Sequence, residues 1–254
     1  MSKPLREQTV LVTGAGRGFG AAIASAFARE GARVAINYRK SRAAAEGLAE
    51  VLGERVFAFQ ADVCEPTDVG QMVTEIDEQL GAVTTVVHNA LADYSFNGDA
   101  RDTLESLSGE ALSSQHQTAV TGALNVLQAT VPAMREAGFG RIVTIGSNLV
   151  QNPVVPYHDY TAAKAGLLAL TRTAAAELGP QGITVNMVSG GLLRTTDASA
   201  ATPEPVFDLI AESTPLRSVT TPEEAADAVL FFASPWARAV TGQNLIVDGG
   251  LVFN

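Results

Sequence analysis

"TVLVTGAGRGFGAAIASAFA", Thr9 to Ala28, joins a short β-branched run to a helical pattern through a turn that holds Gly14, Gly16, Gly18 and Gly20. Missing β-carbons let a backbone approach a diphosphate closely, and the free amides and positive dipole end of a starting helix face its charge. A glycine-rich turn by itself is a weak signal. Set between a strand and a helix at the head of a βαβ unit, it points to a dinucleotide site.

The same alternation continues outward. Residues 9–13, 34–37, 56–59, 85–88, 141–146, 184–189 and 245–247 read as strands, with helices at 18–30, 42–52, 67–80, 109–137, 159–178 and 221–234. Each strand needs a helical crossover to return in the same direction, so the pattern predicts an α/β fold, a parallel sheet covered on both faces. Thr221, Pro222 and Glu224 carry the signals of a capped helix start. No repeat, low-complexity tract or Pro/Gly-rich linker divides the chain, and one domain spanning 1–254 is expected. Segment 92–108, with "DYSFNGDARD", reads as a loop, and 192–219 as an irregular excursion carrying a short helix at 204–212. In an open α/β sheet such excursions lie beside the carboxyl ends of the strands, where ligands bind.

Composition narrows the class. Hydrophobic residues make up 46% of 254 and charged ones 17%, which suits a compact domain with a large core. No run of about 20 apolar residues appears, and the first residues are polar, so neither a membrane span nor a signal peptide is expected and a cytoplasmic location is the default. Cys64 is the single cysteine and His88, His116 and His158 are scattered, so no metal site is expected. A net charge of -10 without a basic stripe argues against a nucleic-acid partner.

Which dinucleotide is read from the end of the second strand. An NAD site places an acid there for the ribose 2′-hydroxyl, whereas a 2′-phosphate needs cations. The chain has Asn37, Tyr38, Arg39, Lys40 and Ser41 at that point, and Arg17 lies in the glycine turn. NADP(H) is therefore expected.

These residues together resemble the classical short-chain dehydrogenase/reductase family over nearly the whole chain. "TGAGRGFG" is similar to the family's TGxxxGxG, "ADV" (Ala61–Val63) to its adenine-contacting stretch, and "HNA" (His88–Ala90) to its NAG segment. Ser147 precedes "YTAAK", while "VNMVSGG" with Thr195, and "GQNLIVDGG", are similar to the later strands. The resemblance implies a Rossmann-type, doubly wound seven-stranded sheet. It implies Gly14, Gly16, Arg17, Gly18, Phe19, Gly20, Tyr38, Arg39, Lys40, Asp62, Val63, Asn89, Ala90, Tyr160, Lys164, Gly191 and Thr195 as cofactor contacts. It also implies a reaction: Tyr160 gives a proton to a carbonyl oxygen as hydride reaches the carbon, Ser147 binds that oxygen, and Lys164 holds the nicotinamide ribose.

Helical spacing supports the central pair, since residues four apart lie roughly 40° apart in rotation and about 6 Å in rise. An adjacent ammonium is expected to lower the phenol pKa of Tyr160 toward neutrality. Tyr157, seven residues before Lys164, also satisfies the spacing of the enoyl-acyl reductase branch, so enoyl reduction is an alternative. Ala119 stands where the family has an Asn in its proton relay; Gln115 and His116 lie one turn earlier, and Leu91 replaces the Gly of NAG. Within the family the pattern is most similar to the 3-oxoacyl-[acyl-carrier-protein] reductases. The expected substrate is an acyl thioester or another small carbonyl compound, with acyl carrier protein a candidate partner and a homotetramer the expected assembly. A non-catalytic NADP-binding regulator is the rival from another class.

Overall fold

The computed structural model describes residues 2–92, 94, 96 and 101–253. Seven strands form one parallel sheet: β1 (Thr9–Val12), β2 (Arg33–Tyr38), β3 (Val56–Gln60), β4 (Thr85–His88), β5 (Gly140–Ser147), β6 (Ile183–Gly190) and β7 (Asn244–Val247). Their order in the sheet is β3-β2-β1-β4-β5-β6-β7, the doubly wound arrangement expected. The chain builds outward from β1 in one direction, then returns to β4 and builds in the other. Between the carboxyl ends of β1 and β4 this reversal leaves the crevice where ligands bind.

The helices are α1 (Gly18–Arg29), α2 (Arg42–Leu52), α3 (Pro66–Leu80), α4 (Gly109–His116), α5 (Gly122–Ala137), α6 (His158–Leu178), α7 (Glu204–Ser213) and α8 (Pro222–Ala233). Alternation along the strands sorts the core into two layers. Val10 and Val12 of β1 pack with Ile23 and Phe27 of α1 and Val229 of α8 on one face. Leu11 points to the other, with Met72 and Ile76 of α3 and Val126 and Met134 of α5. Thr221 caps α8 as expected, accepting from the Glu224 amide at 3.3 Å while the Glu224 carboxylate accepts from the Thr221 amide at 2.9 Å.

One helix differs from its sequence reading. The pattern over 109–137 runs on without a break, yet the structure winds it wider as a π-turn at Gln117–Thr121, between α4 and α5. Such a turn takes backbone groups out of the regular ladder. The buried His88 supplies a partner, its Nε2 lying 3.3 Å from the Thr118 carbonyl oxygen. Expected loop 92–108 is described only in part: residues 93, 95 and 97–100 lie outside the described residues.

Candidate active site

The glycine turn follows β1. Gly14 (φ +61°) and Gly18 (φ +57°) are left-handed, a conformation that favours glycine. A β-carbon at Gly14 would sit 2.9 Å from the Ala90 Cα, one at Gly16 2.6 Å from the Ser41 Oγ, and one at Gly20 2.6 Å from the Gly14 carbonyl oxygen. No side chain caps α1. Its first turn, Gly18 to Gly20, lines a cleft of about 980 Å³, so its orphan amides stand where an anion would be held.

Neighbouring strand ends brace this turn. Asn37 accepts from the Gly14 amide at 3.2 Å and donates to the Ala61 carbonyl at 3.1 Å. Asn89 donates through Nδ2 to the carbonyls of Thr13 and Gly14, at 3.0 and 3.1 Å. The Thr13 hydroxyl accepts from the amides of Asn89 and Ala90, both at 3.0 Å. Its own proton is left for His88 Nδ1 at 3.3 Å, which makes Nε2 the protonated nitrogen that donates to Thr118.

Burial, and then the Lys164 charge, hold His88 down at about 4. The neutral ring is therefore part of the fold. Above pH 6.5 it is neutral folded or unfolded; as pH falls below that value the unfolded chain takes the proton first, and stability declines until pH 4. The expected loss over that window is about 3 kcal/mol. Urea midpoints measured from pH 7.5 to 4.5 check it: His88→Asn should flatten the slope between pH 6.5 and 5, and an unchanged slope would contradict the assignment.

Along the cleft, Tyr38, Arg39 and Lys40 line the part beyond β2, and Ile145, Tyr160, Lys164 and Gly191 the part beyond β5 and β6. Arg39 pairs with Asp62 at 3.6 Å, and Arg17 reaches across the mouth to Asp197 at 3.3 Å. The Arg17 pair is well exposed and the Arg39 pair partly so, hence both are weak, and a phosphate is a stronger competitor for the guanidinium groups. Gly16, Asp62, Val63, Ala90 and Thr195, expected as cofactor contacts, do not line this cleft. Gly16, Val63 and Ala90 are buried behind it, and Asp62 lines a smaller adjoining hollow. Thr195 is exposed, and its neighbour Thr196 lines the cleft instead.

At the other end, α6 presents Tyr160 and Lys164 on one face, both buried. The Lys164 ammonium lies 5.6 Å from the centre of the Tyr160 ring and donates to the Ile145 carbonyl at 2.7 Å. Ser147, ending β5, accepts from the Leu149 amide at 3.2 Å, and its hydroxyl is near enough to Tyr160 to draw the phenol pKa down. The expected lowering of the phenol pKa is not what the structure produces. Burial pushes Tyr160 up to about 12, only partly offset by Ser147, and burial pushes Lys164 down to about 8. Desolvation of a phenolate outweighs an ammonium that faces the ring and a backbone carbonyl.

Tyr157, the alternative, is buried but absent from the cleft lining; it packs edge-on to Tyr94 at 5.7 Å. Ala119 is buried in the π-turn, Gln115 is buried and His116 exposed. Cys64 is half-buried, 3.7 Å from the Thr118 hydroxyl. Leu91 lines the cleft. So do Tyr94, Phe96 and Arg101, which the sequence reading left within an unassigned loop. Among the described residues no cluster of His, Cys, Asp or Glu could hold a metal, and no helix is long and apolar enough to cross a membrane.

Residues 14–252 match the family model described as Enoyl-(Acyl carrier protein) reductase. The 3-oxoacyl-[acyl-carrier-protein] reductase FabG of Staphylococcus epidermidis is 35% identical, with 96% of this chain and 98% of that protein covered. The 3-oxoacyl-[acyl-carrier-protein] reductase of Synechocystis is also 35% identical, with 98% of each chain covered. Nodulation protein G of Azospirillum brasilense is 34% identical, with 98% of this chain and all of that protein covered. Matched almost end to end, with the doubly wound sheet and the glycine turn in place, the chain belongs to the short-chain dehydrogenase/reductase family.

Proposed function

We propose that the protein is an NADPH-dependent reductase of 3-oxoacyl thioesters, forming the 3-hydroxyacyl product. The observation that carries this reading is the meeting, in one cleft, of the glycine cradle with a buried Tyr160 that has Ser147 near its phenol and Lys164 against its ring. A binding protein needs only the cradle. Relatives that bear the name 3-oxoacyl-[acyl-carrier-protein] reductase support the substrate class.

The cradle fits a nicotinamide dinucleotide, because Gly14, Gly18 and Gly20 line the cleft at the start of α1, where no side chain caps the helix and its free amides can face a diphosphate. Such a carrier supplies the hydride. The protein's own residues handle the proton and the developing charge. A phenol held at about 12 keeps its proton at neutral pH, as an acid for reduction must. The alkoxide oxygen formed from a ketone is far more basic than phenolate, so the proton moves downhill from Tyr160. Ser147 steadies the same oxygen, and the Lys164 ammonium stabilises the phenolate left behind.

NADPH over NADH is supported by Arg39 and Lys40 on the cleft wall and by Asn37 at the strand end, where no acid stands to meet a 2′-hydroxyl. Self-association, to a tetramer, belongs to this proposal, as does an acyl carrier protein or coenzyme A as the thioester's carrier. Purified protein is expected to oxidise NADPH when given acetoacetyl-CoA. Arg39→Ala should raise the KM for NADPH about tenfold, one lost charge-assisted contact, and barely change that for NADH. Inertness toward acetoacetyl-CoA would refute the reading, and turnover of crotonyl-CoA in its place would turn it to enoyl chemistry.

A further inference from the structure

Tyr160, the proton donor of the reading above, stands in the first turn of α6, and helix ends are the parts that open most readily. The residue preceding α6, Tyr157, makes no side-chain cap bond, so the amides of this end lack the usual anchor. Reduction nevertheless needs the phenol held at one angle to a carbonyl oxygen. Support has to come from outside α6.

Tyr94, Phe96 and Arg101, which lie between β4 and α4, provide it. Tyr94 stacks on the Tyr160 ring, with centroids 5.0 Å apart and planes at 28°. The Arg101 guanidinium lies 4.0 Å from the Tyr94 centroid. Arg101 is bound in turn to the buried Asp159, the residue just before Tyr160, with Nη2 donating to both carboxylate oxygens at 3.1 and 2.9 Å. The path thus leaves α6 at Asp159 and returns to it at Tyr160. Phe96 meets the Tyr160 ring edge-on at 5.4 Å. Its backbone is tied to the segment after β6, the amide donating to the Ala198 carbonyl at 2.9 Å and the carbonyl accepting from the Thr202 hydroxyl at 3.1 Å. Tyr160 still lines the cleft. The Tyr94 hydroxyl is buried and has no hydrogen-bond partner among the described residues, so what Tyr94 contributes is the flat face of its ring.

We propose that Arg101 and Tyr94 are positioning residues for the reduction: the Asp159–Arg101–Tyr94 stack fixes the plane of the Tyr160 ring, so that the phenol keeps one orientation at the cleft wall. This rests on the reading of Tyr160 as proton donor given above. Arginine suits the middle place because a planar guanidinium pairs with a carboxylate and also lies flat on an aromatic ring, which an ammonium does not. A small tilt of the phenol is enough to slow the reaction, since a displacement of about 1 Å can cost about 10²-fold in rate.

The test separates the Tyr94 ring from its hydroxyl, and kcat from binding. Tyr94→Leu keeps an apolar side chain but loses the flat face. With NADPH and acetoacetyl-CoA it is expected to lower kcat about 10–10²-fold and to leave the Kd for NADPH unchanged. Its solvent deuterium isotope effect on kcat should rise, because proton transfer from a misaligned phenol becomes the slow step. Tyr94→Phe restores the stack and is expected to rescue both kcat and the isotope effect. Arg101→Lys can still pair with Asp159 but has no plane to stack; it should show a smaller fall in kcat with the same rise in isotope effect, and it decides the matter if Tyr94→Leu does not fold. Wild-type kcat and isotope effect in Tyr94→Leu, or in Arg101→Lys where the former does not fold, overturn the inference alone. So does a Tyr94→Phe protein as slow as Tyr94→Leu, or a loss of NADPH affinity that matches the loss of kcat, the mark of a general packing role. A wild type inert toward acetoacetyl-CoA, or a Tyr160→Phe protein with full activity, removes the functional reading, and this inference with it.

Discussion

Replacing Tyr160 with phenylalanine is expected to lower kcat for ketone reduction by about 10²–10⁴-fold, the contribution of a positioned general acid. Affinity for NADPH should change little, because the ring and its stacking on Tyr94 survive and Lys164 keeps its bond to the Ile145 carbonyl. Stopped-flow hydride transfer and a fluorescence titration separate the two quantities. Tyr157→Phe is the companion measurement. Since Tyr157 packs among aromatic rings outside the cleft lining, it should retain most activity. The opposite pattern, an active Tyr160→Phe and a dead Tyr157→Phe, would hand the proton to Tyr157.

The second large effect is expected from Gly20→Val. A β-carbon there meets the Gly14 carbonyl oxygen at 2.6 Å, the Asn89 Nδ2 at 2.6 Å and the Ala15 Cα at 2.8 Å. Two of these neighbours are backbone and the third is doubly hydrogen-bonded, so none yields without deforming the turn. Overpacking of this kind typically removes about 1–3 kcal/mol of stability. The deformed turn should also weaken NADPH binding by well over tenfold, because its amides no longer converge. Gly47→Ala on α2, where a β-carbon meets nothing within 4 Å, is the contrast and should add about 0.5–1 kcal/mol. A Gly20→Val protein with unaltered melting temperature and NADPH affinity would show that the turn is not a close-fitting cradle.

What was legible in the sequence was what short-range pattern encodes. Strand-helix alternation predicts the parallel sheet, and four-residue spacing on a helix brings Tyr160 and Lys164 to one face. The π-turn at Gln117–Thr121 escaped because apolar periodicity continues through it; its partner, His88, comes from a strand about thirty residues earlier in the chain. Tyr94, Phe96 and Arg101 escaped for a related reason. They sit in a segment without periodicity, and only folding brings them against α6 and the loop after β6. Three closely spaced polar and aromatic residues in a loop between an α/β strand and helix were the available signal. The direction of the Tyr160 shift was misjudged because spacing reports a neighbouring charge and says nothing of how much water burial removes.

Asn37 sets a limit on how this protein could be redesigned to use the other nicotinamide carrier. Its amide already bridges two strands' worth of backbone, accepting from Gly14 and donating to Ala61. An aspartate grafted there would still accept from Gly14 but would turn a carboxylate oxygen toward the Ala61 carbonyl, oxygen against oxygen. Any acid recruited to greet an unphosphorylated ribose therefore has to come from farther along, at Tyr38 to Ser41, where the wall of the cleft has room to change without unfastening its floor.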